Sequence, residues 1–349
     1  MKRENLLLKN TIIISFGTFF PKFVGLVTLP IITGYLTKEE LGQYDLITVL
    51  ISLVLPVLTL QIQTAAFRFL INNRKKKEEI CIIVSTIFYF TIIVSIISVI
   101  IAYTILTFLN VSGRLWILTY FLLDIIYQTF QQFNRGLGDN LWYSVNTIIL
   151  SSMSMVGIVL LVLYKGRGLI GVLTALIIAN FAGIAFTFIR RKYWRIIRIN
   201  CFSKLKLKEL IMYSWPLIPN NLSSWVMTLS DRMVLTMVLG FEVNAVYAVA
   251  KKIPNLITAV QSTFSLAWQE NATIFSKEED AEQYYSNVFD SVFSIVAGIT
   301  ALLISIAPFL FALLVRGDYK DAFFQMPLLF IALFFTTLSS FLGGIYVQT

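Results

Sequence analysis

Residues 80–113 read ICIIVSTIFYFTIIVSIISVIIAYTILTFLNVSG, a run of 34 positions without a charged side chain. A helix of about 20 apolar residues crosses a hydrocarbon core of ~30 Å, so this stretch is long enough to span a membrane. Residues 140–164 and 322–349 are also free of charge. The whole chain is 57% hydrophobic and 13% charged, with a mean hydropathy of +0.79, whereas soluble domains are about a quarter charged. These features predict an all-α, polytopic membrane helix bundle.

Ten apolar segments follow one another along the 349 residues. Short polar junctions separate them, except for a longer basic connector at 190–208. We therefore expect a first lobe at 1–189, the connector, and a second lobe at 209–349. The predicted spans lie at 10–36, 41–70, 80–109, 115–134, 140–164, 168–190, 210–239, 243–275, 283–315 and 322–349.

The composition excludes several functional classes. The chain has no histidine, which excludes His-based catalysis and His-ligated metals, and no G-x-x-x-x-G-K-[ST] phosphate loop. Its two cysteines, Cys81 and Cys201, lie far apart in sequence, so we expect neither a disulfide framework nor a metal site. We expect no cofactor and no enzymatic activity. The net charge of +9 is interpreted as loop charge that sets topology, not as a nucleic-acid site.

Basic residues are distributed unevenly between the two sets of junctions. The amino terminus and the even-numbered junctions carry 17 Lys and Arg residues, and the odd-numbered junctions carry six. Cytoplasmic loops are enriched in Lys and Arg. The amino terminus and the 190–208 connector are therefore predicted to be cytoplasmic.

The two lobes show a weak internal repeat. A shift of 203 positions superimposes 36–44 on 239–247, with identical Leu, Glu and Tyr at three positions and Gly42 opposite the small Ala245. Both segments bridge the first and second spans of their lobes. Six spans per repeat keep both halves in the same orientation, so the repeat is parallel, about an axis along the membrane normal.

Polar side chains form stripes on five of the predicted spans. Residues three or four apart lie on one helix face, and span eight gives the most regular example. Ordinary interhelical hydrogen bonding through small polar groups would explain one such stripe. Five stripes favour a water-filled central cavity, which would lie between the two pseudo-symmetric lobes that the repeat predicts. The stripe of span eight comprises Lys251, Asn255, Thr258, Ser262, Ser265 and Gln269. Span two has Asp45, Thr48, Ser52, Thr59 and Gln63, and span four has Asp124, Gln128, Gln131 and Arg135. Span five has Asn140, Ser144, Thr147, Ser151 and Ser154, and span seven has Asn220, Ser224, Thr228 and Asp231.

Six charged residues lie deep within the predicted spans: Lys22, Asp124, Asp231, Arg232, Lys251 and Lys252. A charge at the bilayer centre costs about 2.5–3.5 kcal/mol. Four cations against two anions favour an anionic cargo, although Asp231 could instead neutralise Lys251 or Arg232 as a structural pair. Asp124 is the first candidate for a proton-coupled carboxylate. The candidate substrate-binding residues are Lys22, Arg232, Lys251 and Lys252, and the candidate cavity-lining or coupling residues are Asp124, Asp231, Asn255, Thr258 and Ser262.

Three segments resemble a known family. These are SFGTFFPKFVG at 15–25, LTKEELGQYD at 36–45 and YAVAKKIP at 247–254. They are similar to the polysaccharide-transporter branch of the multidrug/oligosaccharidyl-lipid/polysaccharide (MOP) exporter superfamily. The related lipid II flippases carry cations at the positions of Lys22 and Lys251. A further arginine in the first helix of those flippases corresponds to Thr28 in this chain, so the cation pattern is only partly preserved.

The resemblance implies a two-lobed bundle of the MOP type that works by alternating access. Because members of that family have twelve or more helices and ten spans are predicted here, the resemblance also implies that the second lobe at 209–349 is incomplete and truncated. The implied cargo is an undecaprenyl-diphosphate-linked oligosaccharide, an O-antigen or capsule repeat unit, moved across the bacterial inner membrane. An ion gradient or the membrane potential would drive transport. Membrane lipids are implied partners, and the polysaccharide polymerase and chain-length machinery is a further suggested one.

Two other functions remain open at the level of sequence. A drug or cation antiporter of the same fold would favour an acidic cavity, and Asp124 alone is weak support for one. An O-antigen polymerase or ligase commonly needs a large external loop. The junctions predicted to be external have about ten residues or fewer, which disfavours an enzyme of that class.

Overall fold

The computed structural model describes residues 2–255, 257, 258, 261, 268 and 281–346. This part of the chain forms helices and connecting turns and contains no strand. The helices are α1 (Lys2–Tyr35), α2 (Lys38–Leu58), α3 (Ile62–Asn73), α4 (Lys77–Phe108), α5 (Arg114–Gly136), α6 (Asn140–Ile158), α7 (Gly168–Arg191), α8 (Lys204–Ser214), α9 (Ile218–Leu239), α10 (Phe241–Lys252), α11 (Ala281–Leu314) and α12 (Lys320–Tyr346). A π-helical turn, Val159–Tyr164, extends α6, and 3₁₀ turns lie at Tyr193–Arg195, Ile199–Cys201 and Trp215–Leu217.

The predicted membrane bundle is confirmed. Among the described residues, seven helices are long and apolar enough to cross a membrane: α1, α2, α4, α6 with its π-helical turn, α7, α11 and α12. Helices α5 and α9, of 23 and 22 residues, are also long enough but are more polar. The predicted span at 243–275 begins with α10, and most of its remainder lies outside the described residues.

Two predicted spans are not single helices. The segment 41–70 breaks between α2 and α3, where Leu60 and Gln61 adopt left-handed φ values of 51° and 57°. The Gln61 N–H donates to the Pro56 carbonyl at 3.0 Å, which closes the end of α2 in the manner of a Schellman motif. The segment 210–239 breaks at the 3₁₀ turn that contains Pro216, because proline cannot donate the helical hydrogen bond.

Helix α2 is fixed at its start by a capping box. The Thr37 hydroxyl accepts a hydrogen bond from the Glu40 N–H at 3.1 Å, and the Glu40 carboxylate accepts one from the Thr37 N–H at 3.0 Å. The same carboxylate accepts a hydrogen bond from the Leu169 N–H at 3.1 Å. Glu40 therefore ties the first turn of α2 to the first turn of α7.

Helices α1–α7 form the first lobe, in which α6 packs between α1 and α7. Gly17 allows α1 to approach α6, because a Cβ there would lie 2.6 Å from the Ser144 hydroxyl. That hydroxyl donates to the Ile13 carbonyl at 2.8 Å. Ser144 belongs to the polar stripe of span five, so this member of the stripe joins two helices and does not line a cavity.

The expectation for the cysteines is wrong. Cys81 of α4 and Cys201 of the connector form a disulfide, with their Cα atoms 5.9 Å apart. The connector folds back across the first turns of α4, where the Arg198 N–H donates to the Ser85 hydroxyl at 3.0 Å. The pairing spans 120 residues and arises from tertiary packing, which the spacing of two cysteines in the sequence does not reveal.

The two lobes meet along α2, which packs against α9 and α10 of the second lobe. We call this contact the lobe seam. At Gly42 the backbones of α2 and α10 touch, and a Cβ at this position would lie 1.9 Å from the Phe241 carbonyl oxygen. The Trp225 indole N–H of α9 continues the seam by donating to the Val49 carbonyl at 3.3 Å. The helices in contact, α2 and α10, are those that the predicted repeat relates, as expected for an interface on a pseudo-two-fold axis.

The approach at Gly42 gives a stability prediction. Gly42→Ala should lower the free energy of unfolding by about 1–3 kcal/mol, because the added methyl group forces two backbones apart. The midpoint of thermal unfolding, followed by tryptophan fluorescence in detergent, measures this change. Gly298→Ala in α11 is the matched control, since no atom lies within 4 Å of the added methyl group. Equal midpoints for the two variants would contradict the close contact.

Candidate functional site

A buried ion pair joins the lobes at the seam. The Arg232 guanidinium of α9 donates to the Asp45 carboxylate of α2 at 2.6 Å, and their side chains are only 11% and 8% exposed. The Asn244 side-chain amide of α10 donates to the other Asp45 oxygen at 3.3 Å and to the Gly42 carbonyl at 3.2 Å. Because a buried charge without its partner costs several kcal/mol, Asp45 and Arg232 each stabilise the other's place in the membrane.

A second ion pair lies within the second lobe, next to the first. The Lys251 ammonium lies 2.5 Å from the Asp231 carboxylate, and the Tyr247 hydroxyl donates to the same oxygen. The ammonium also lies 4.6 Å from the centre of the Tyr247 ring. Asp231 and Lys251 therefore form the structural pair that the sequence analysis gave as an alternative to binding of an anionic cargo. The Asp231 side chain is 37% exposed, so this pair is less buried than the Asp45–Arg232 pair.

Lys252 faces the first lobe across a cavity of about 260 Å³. Helices α1, α2, α6 and α10 line this cavity, and Asp45, Ser151 and Ser154 supply polar walls. Lys252 interacts electrostatically with Asp45 and Arg232, but no carboxylate of the described residues lies within 4 Å of its ammonium. Together the two ion pairs and Lys252 comprise three basic and two acidic side chains, so the cluster has one basic side chain more than acidic ones.

The other two charged candidates lie outside this cluster. Lys22 is half-buried on α1, and no carboxylate in the described part of the chain pairs with it. Asp124 of α5 accepts a hydrogen bond from the Gln128 side chain at 2.8 Å. Lys22 and Asp124 are thus not partners. The turn that carries Lys22 does reach the seam, because Pro21, Val24 and Gly25 line the same cavity as Lys252.

The uncharged candidates are placed only in part. Asn255 and Thr258 are exposed, and the Thr258 hydroxyl donates to the Pro254 carbonyl at 3.0 Å. Ser262 lies outside the described residues. The stripe of α9 is also exposed, at Asn220, Ser224 and Thr228.

Asp45 and Asn244 complete the cluster, and neither was among the candidate site residues. A sequence signal existed for Asp45, which belongs to the polar stripe of span two. Its partner Arg232 follows 187 residues later, so the pair itself left no local pattern.

The lobes also meet at the face opposite the connector. Lys38 of α2 lies 3.1 Å from Asp318 of the turn between α11 and α12, and the Arg316 N–H donates to the Thr33 hydroxyl of α1 at 2.9 Å. Tyr319 is buried beside them, and burial raises its pKa to about 12, so its hydroxyl remains neutral. These contacts close the lobes at this face.

Toward the connector face, α2 ends at Leu58 and the chain changes direction. After the break at Leu60 and Gln61, α3 packs on α4, α5 and α8 and leaves the line of the seam. The exposed polar residues of α9 lie on the same side. In the part of the chain that the structure describes, the contacts that α2 makes with α9 and α10 therefore end where α2 ends.

Comparison with known proteins gives a family and a fold. The family model described as "Polysaccharide biosynthesis protein" matches residues 7–268. Among solved structures, the chain is similar to an inward-facing multidrug resistance MATE family transporter of the MOP superfamily, with a TM-score of 0.71, 16% identity and coverage of 95% of this chain and 82% of that one. The outward-facing conformation of a MATE family transporter gives a TM-score of 0.60, 17% identity and coverage of 98% and 82%.

A third similar structure is a MOP superfamily transporter from Pyrococcus furiosus, described by the reverse polarity of its binding pocket. It gives a TM-score of 0.62 at 14% identity and covers 98% of this chain and 84% of that one. No curated protein matches the chain. The structural likeness confirms the expected MOP-type fold.

The buried pair predicts a specific pattern of stabilities. Arg232→Met should lower the free energy of unfolding by about 3–5 kcal/mol, because it leaves the Asp45 carboxylate buried and unpaired. Asp45→Asn/Arg232→Met should recover part of that loss, since neither charge remains. Thermal unfolding in detergent measures both variants.

The exposed pair at the opposite face is the control. Asp318→Ala removes the partner of Lys38 from a carboxylate that is 80% exposed, so the cost should stay below about 1 kcal/mol. The loss of unfolding free energy in Asp45→Asn/Arg232→Met could instead equal the sum of the losses in Asp45→Asn and Arg232→Met. That result would show that Asp45 and Arg232 are not energetically coupled.

Proposed function

Because the chain belongs to the polysaccharide biosynthesis protein family, we propose that it is a flippase for an undecaprenyl-diphosphate-linked oligosaccharide. The cargo would be an O-antigen or capsule repeat unit, moved from the cytoplasmic to the outer leaflet of the bacterial inner membrane. The observation that carries this proposal is the extra cation at the lobe seam of a transporter fold.

A diphosphate is the chemical group that suits this site. Its charge must leave water as the headgroup moves between the leaflets, and each lysine ammonium offers up to three donors to phosphate oxygens. Lys252 is the first contact that we propose, since it lines the seam cavity and has no ion-pair partner among the described residues. Lys22 would meet the same headgroup from the first lobe, and Lys251 would do so if its pair with Asp231 opened.

The Asp45–Arg232 pair offers a way to couple binding to alternating access. A diphosphate beside Lys252 would compete with the Asp45 carboxylate for the Arg232 guanidinium. Weakening that pair would destabilise the lobe seam and favour the state that is open at the face opposite the connector. The cargo would then bind the two states with different affinities, which is what shifts the equilibrium between them. The higher TM-score with the inward-facing relative supports the assignment of the present structure to the inward-open state.

The energy source that we propose is an ion gradient or the membrane potential, because the sequence has no phosphate loop for a nucleotide. Asp124 remains the candidate for proton coupling. The connector at 190–208 would lie in the cytoplasm between lobes at 1–189 and 209–349, as the 17 basic residues on that side suggest. Polysaccharide polymerase and chain-length proteins are proposed partners at the membrane.

A transport assay in cells tests the substrate. In the source strain with its own copy deleted, Lys252→Ala should reduce surface polysaccharide about tenfold or more, because a charge-assisted hydrogen bond to the diphosphate is lost. Lys252→Arg should keep part of the function, and Lys22→Ala and Lys251→Ala should also reduce it. Immunoblotting of surface polysaccharide and extraction of accumulated lipid-linked oligosaccharide are the measurements.

Lys165→Ala, in an exposed turn at the opposite face, removes the same charge and should behave as the wild type. Full polysaccharide from Lys252→Ala at equal protein level would exclude the cationic site. If deletion of the protein changed drug tolerance and left polysaccharide intact, the drug antiporter would replace the flippase.

A crosslink tests alternating access. A Cβ at Gly34 would lie 3.3 Å from the Arg316 Cβ, close to the ~3.5–4.5 Å that a disulfide needs. Gly34→Cys/Arg316→Cys, made in a Cys81→Ser/Cys201→Ser background, should form a disulfide that holds the lobes together at the closed face. Surface polysaccharide should then fall under oxidising conditions and recover with a reductant. Gly34→Cys alone is the control, and full transport by the crosslinked protein would contradict the mechanism.

A further inference from the structure

A second large cavity, of about 800 Å³, lies at the connector face and away from the lobe seam. It is bounded by the first turns of α4, the residue that follows α5, and the connector. Five cations and one carboxylate, Glu78, line it. The cations are Arg74, Lys77, Arg191, Arg195 and Arg198.

Internal partners neutralise only part of this charge. Arg191 lies 2.8 Å from the Asp139 carboxylate, and Arg74 donates to the Gly136 carbonyl at 2.7 Å, which is an uncharged acceptor. In the part of the chain that the structure describes, no carboxylate lies within 4 Å of Lys77 or Arg195. The cavity therefore has an excess of positive charge that suits an anion.

The walls also include apolar side chains. Ile80 and Ile82 of α4, Leu137 after α5, and Ile196 of the connector line the same space. A cavity with cations and an aliphatic wall suits a ligand that has a charged head and a hydrocarbon part.

The cavity lies at the depth of lipid headgroups. At 1.5 Å per residue, the 32 residues of α4 extend about 48 Å, well beyond a hydrocarbon core of ~30 Å. The first turns of α4 therefore reach the headgroup region. Trp194 and Ile199 of the connector are 48% and 66% exposed beside the cavity, as expected for side chains that anchor at a membrane interface.

The cationic side chains are held in a fixed frame. The Cys81–Cys201 disulfide joins the connector to α4 within the cavity wall, and the Arg198 N–H donates to the Ser85 hydroxyl of α4. Arg195 and Arg198 thus sit on a segment that is tied to the helix opposite them. A preorganised set of cations binds an anion with less loss of entropy than mobile side chains do.

We propose that this cavity binds the phosphate headgroup of a membrane lipid from the leaflet at the connector face. The Arg195 and Arg198 guanidinium groups and the Lys77 ammonium contact the phosphate oxygens, and the isoleucine wall contacts the first carbons of the lipid. The site is separate from the seam and does not rest on the flippase assignment. A glycerophospholipid or a polyprenyl diphosphate could supply the headgroup.

Lipid binding to the purified full chain tests the site. The protein is titrated in detergent with dioctanoyl phosphatidylglycerol, undecaprenyl diphosphate, dioctanoyl phosphatidylcholine and inorganic diphosphate, and native mass spectrometry counts the bound molecules. The first variant is Arg195→Ala/Arg198→Ala. The control is Lys204→Ala/Lys208→Ala, which removes two exposed cations of α8 on the same face but outside the cavity.

The cavity variant should lose about tenfold or more in affinity for the anionic lipids, and the control variant less than about twofold. Whichever of phosphatidylglycerol and undecaprenyl diphosphate binds more tightly to the wild type identifies the source of the headgroup. Equal losses in both variants would indicate diffuse surface attraction and overturn the proposal. Inorganic diphosphate binding as tightly as either lipid would overturn the lipid assignment. An unchanged thermal midpoint without added lipid verifies the fold of each variant.

Discussion

Two helix backbones touch at Gly42, and the arrangement of the lobe seam depends on that contact. Because no side chain intervenes, α10 lies close enough to α2 for Asn244 to donate to both the Gly42 carbonyl and the Asp45 carboxylate. The oriented carboxylate in turn receives Arg232 from α9. Backbone contact, amide and ion pair thus form one connected unit in a medium where an unpaired charge is costly. Lys252 completes it on the cavity side.

The seam occupies only part of the membrane because α2 ends at Leu58. A continuous helix over 41–70 would have carried the contact line toward the other face. The left-handed residues Leu60 and Gln61 instead turn α3 toward α4, α5 and α8. The capped start of α2 lies at the face where Lys38 meets Asp318, and the break at its other end directs α3 into the first lobe, away from α9 and α10.

Much of the architecture could be predicted from the sequence, because burial in lipid imposes long apolar helices that composition reveals directly. The positions of Lys251, Lys252 and Asp231 followed from the same logic, since a charge within a span is conspicuous. The sequence did not reveal which residues pair with one another. Arg232 pairs with Asp45 at a sequence separation of 187 residues, and Cys81 pairs with Cys201 at a separation of 120. Both pairings arise from tertiary packing. The break in α2 was also missed, because Leu60 and Gln61 are not residues that normally mark a left-handed turn.

The sequence distance between Asp45 and Arg232 has a consequence for how the protein is made. A ribosome adds roughly 5–20 residues per second, so the 187 residues between them take roughly 10–40 s to synthesise. During that interval α2 has left the ribosome with a carboxylate whose counter-ion does not yet exist. The nascent helix must wait at the insertion machinery, keep Asp45 protonated, or hold it near the headgroups until α9 arrives. The first lobe therefore obtains the counter-ion of Asp45 only after translation has reached α9 of the second lobe.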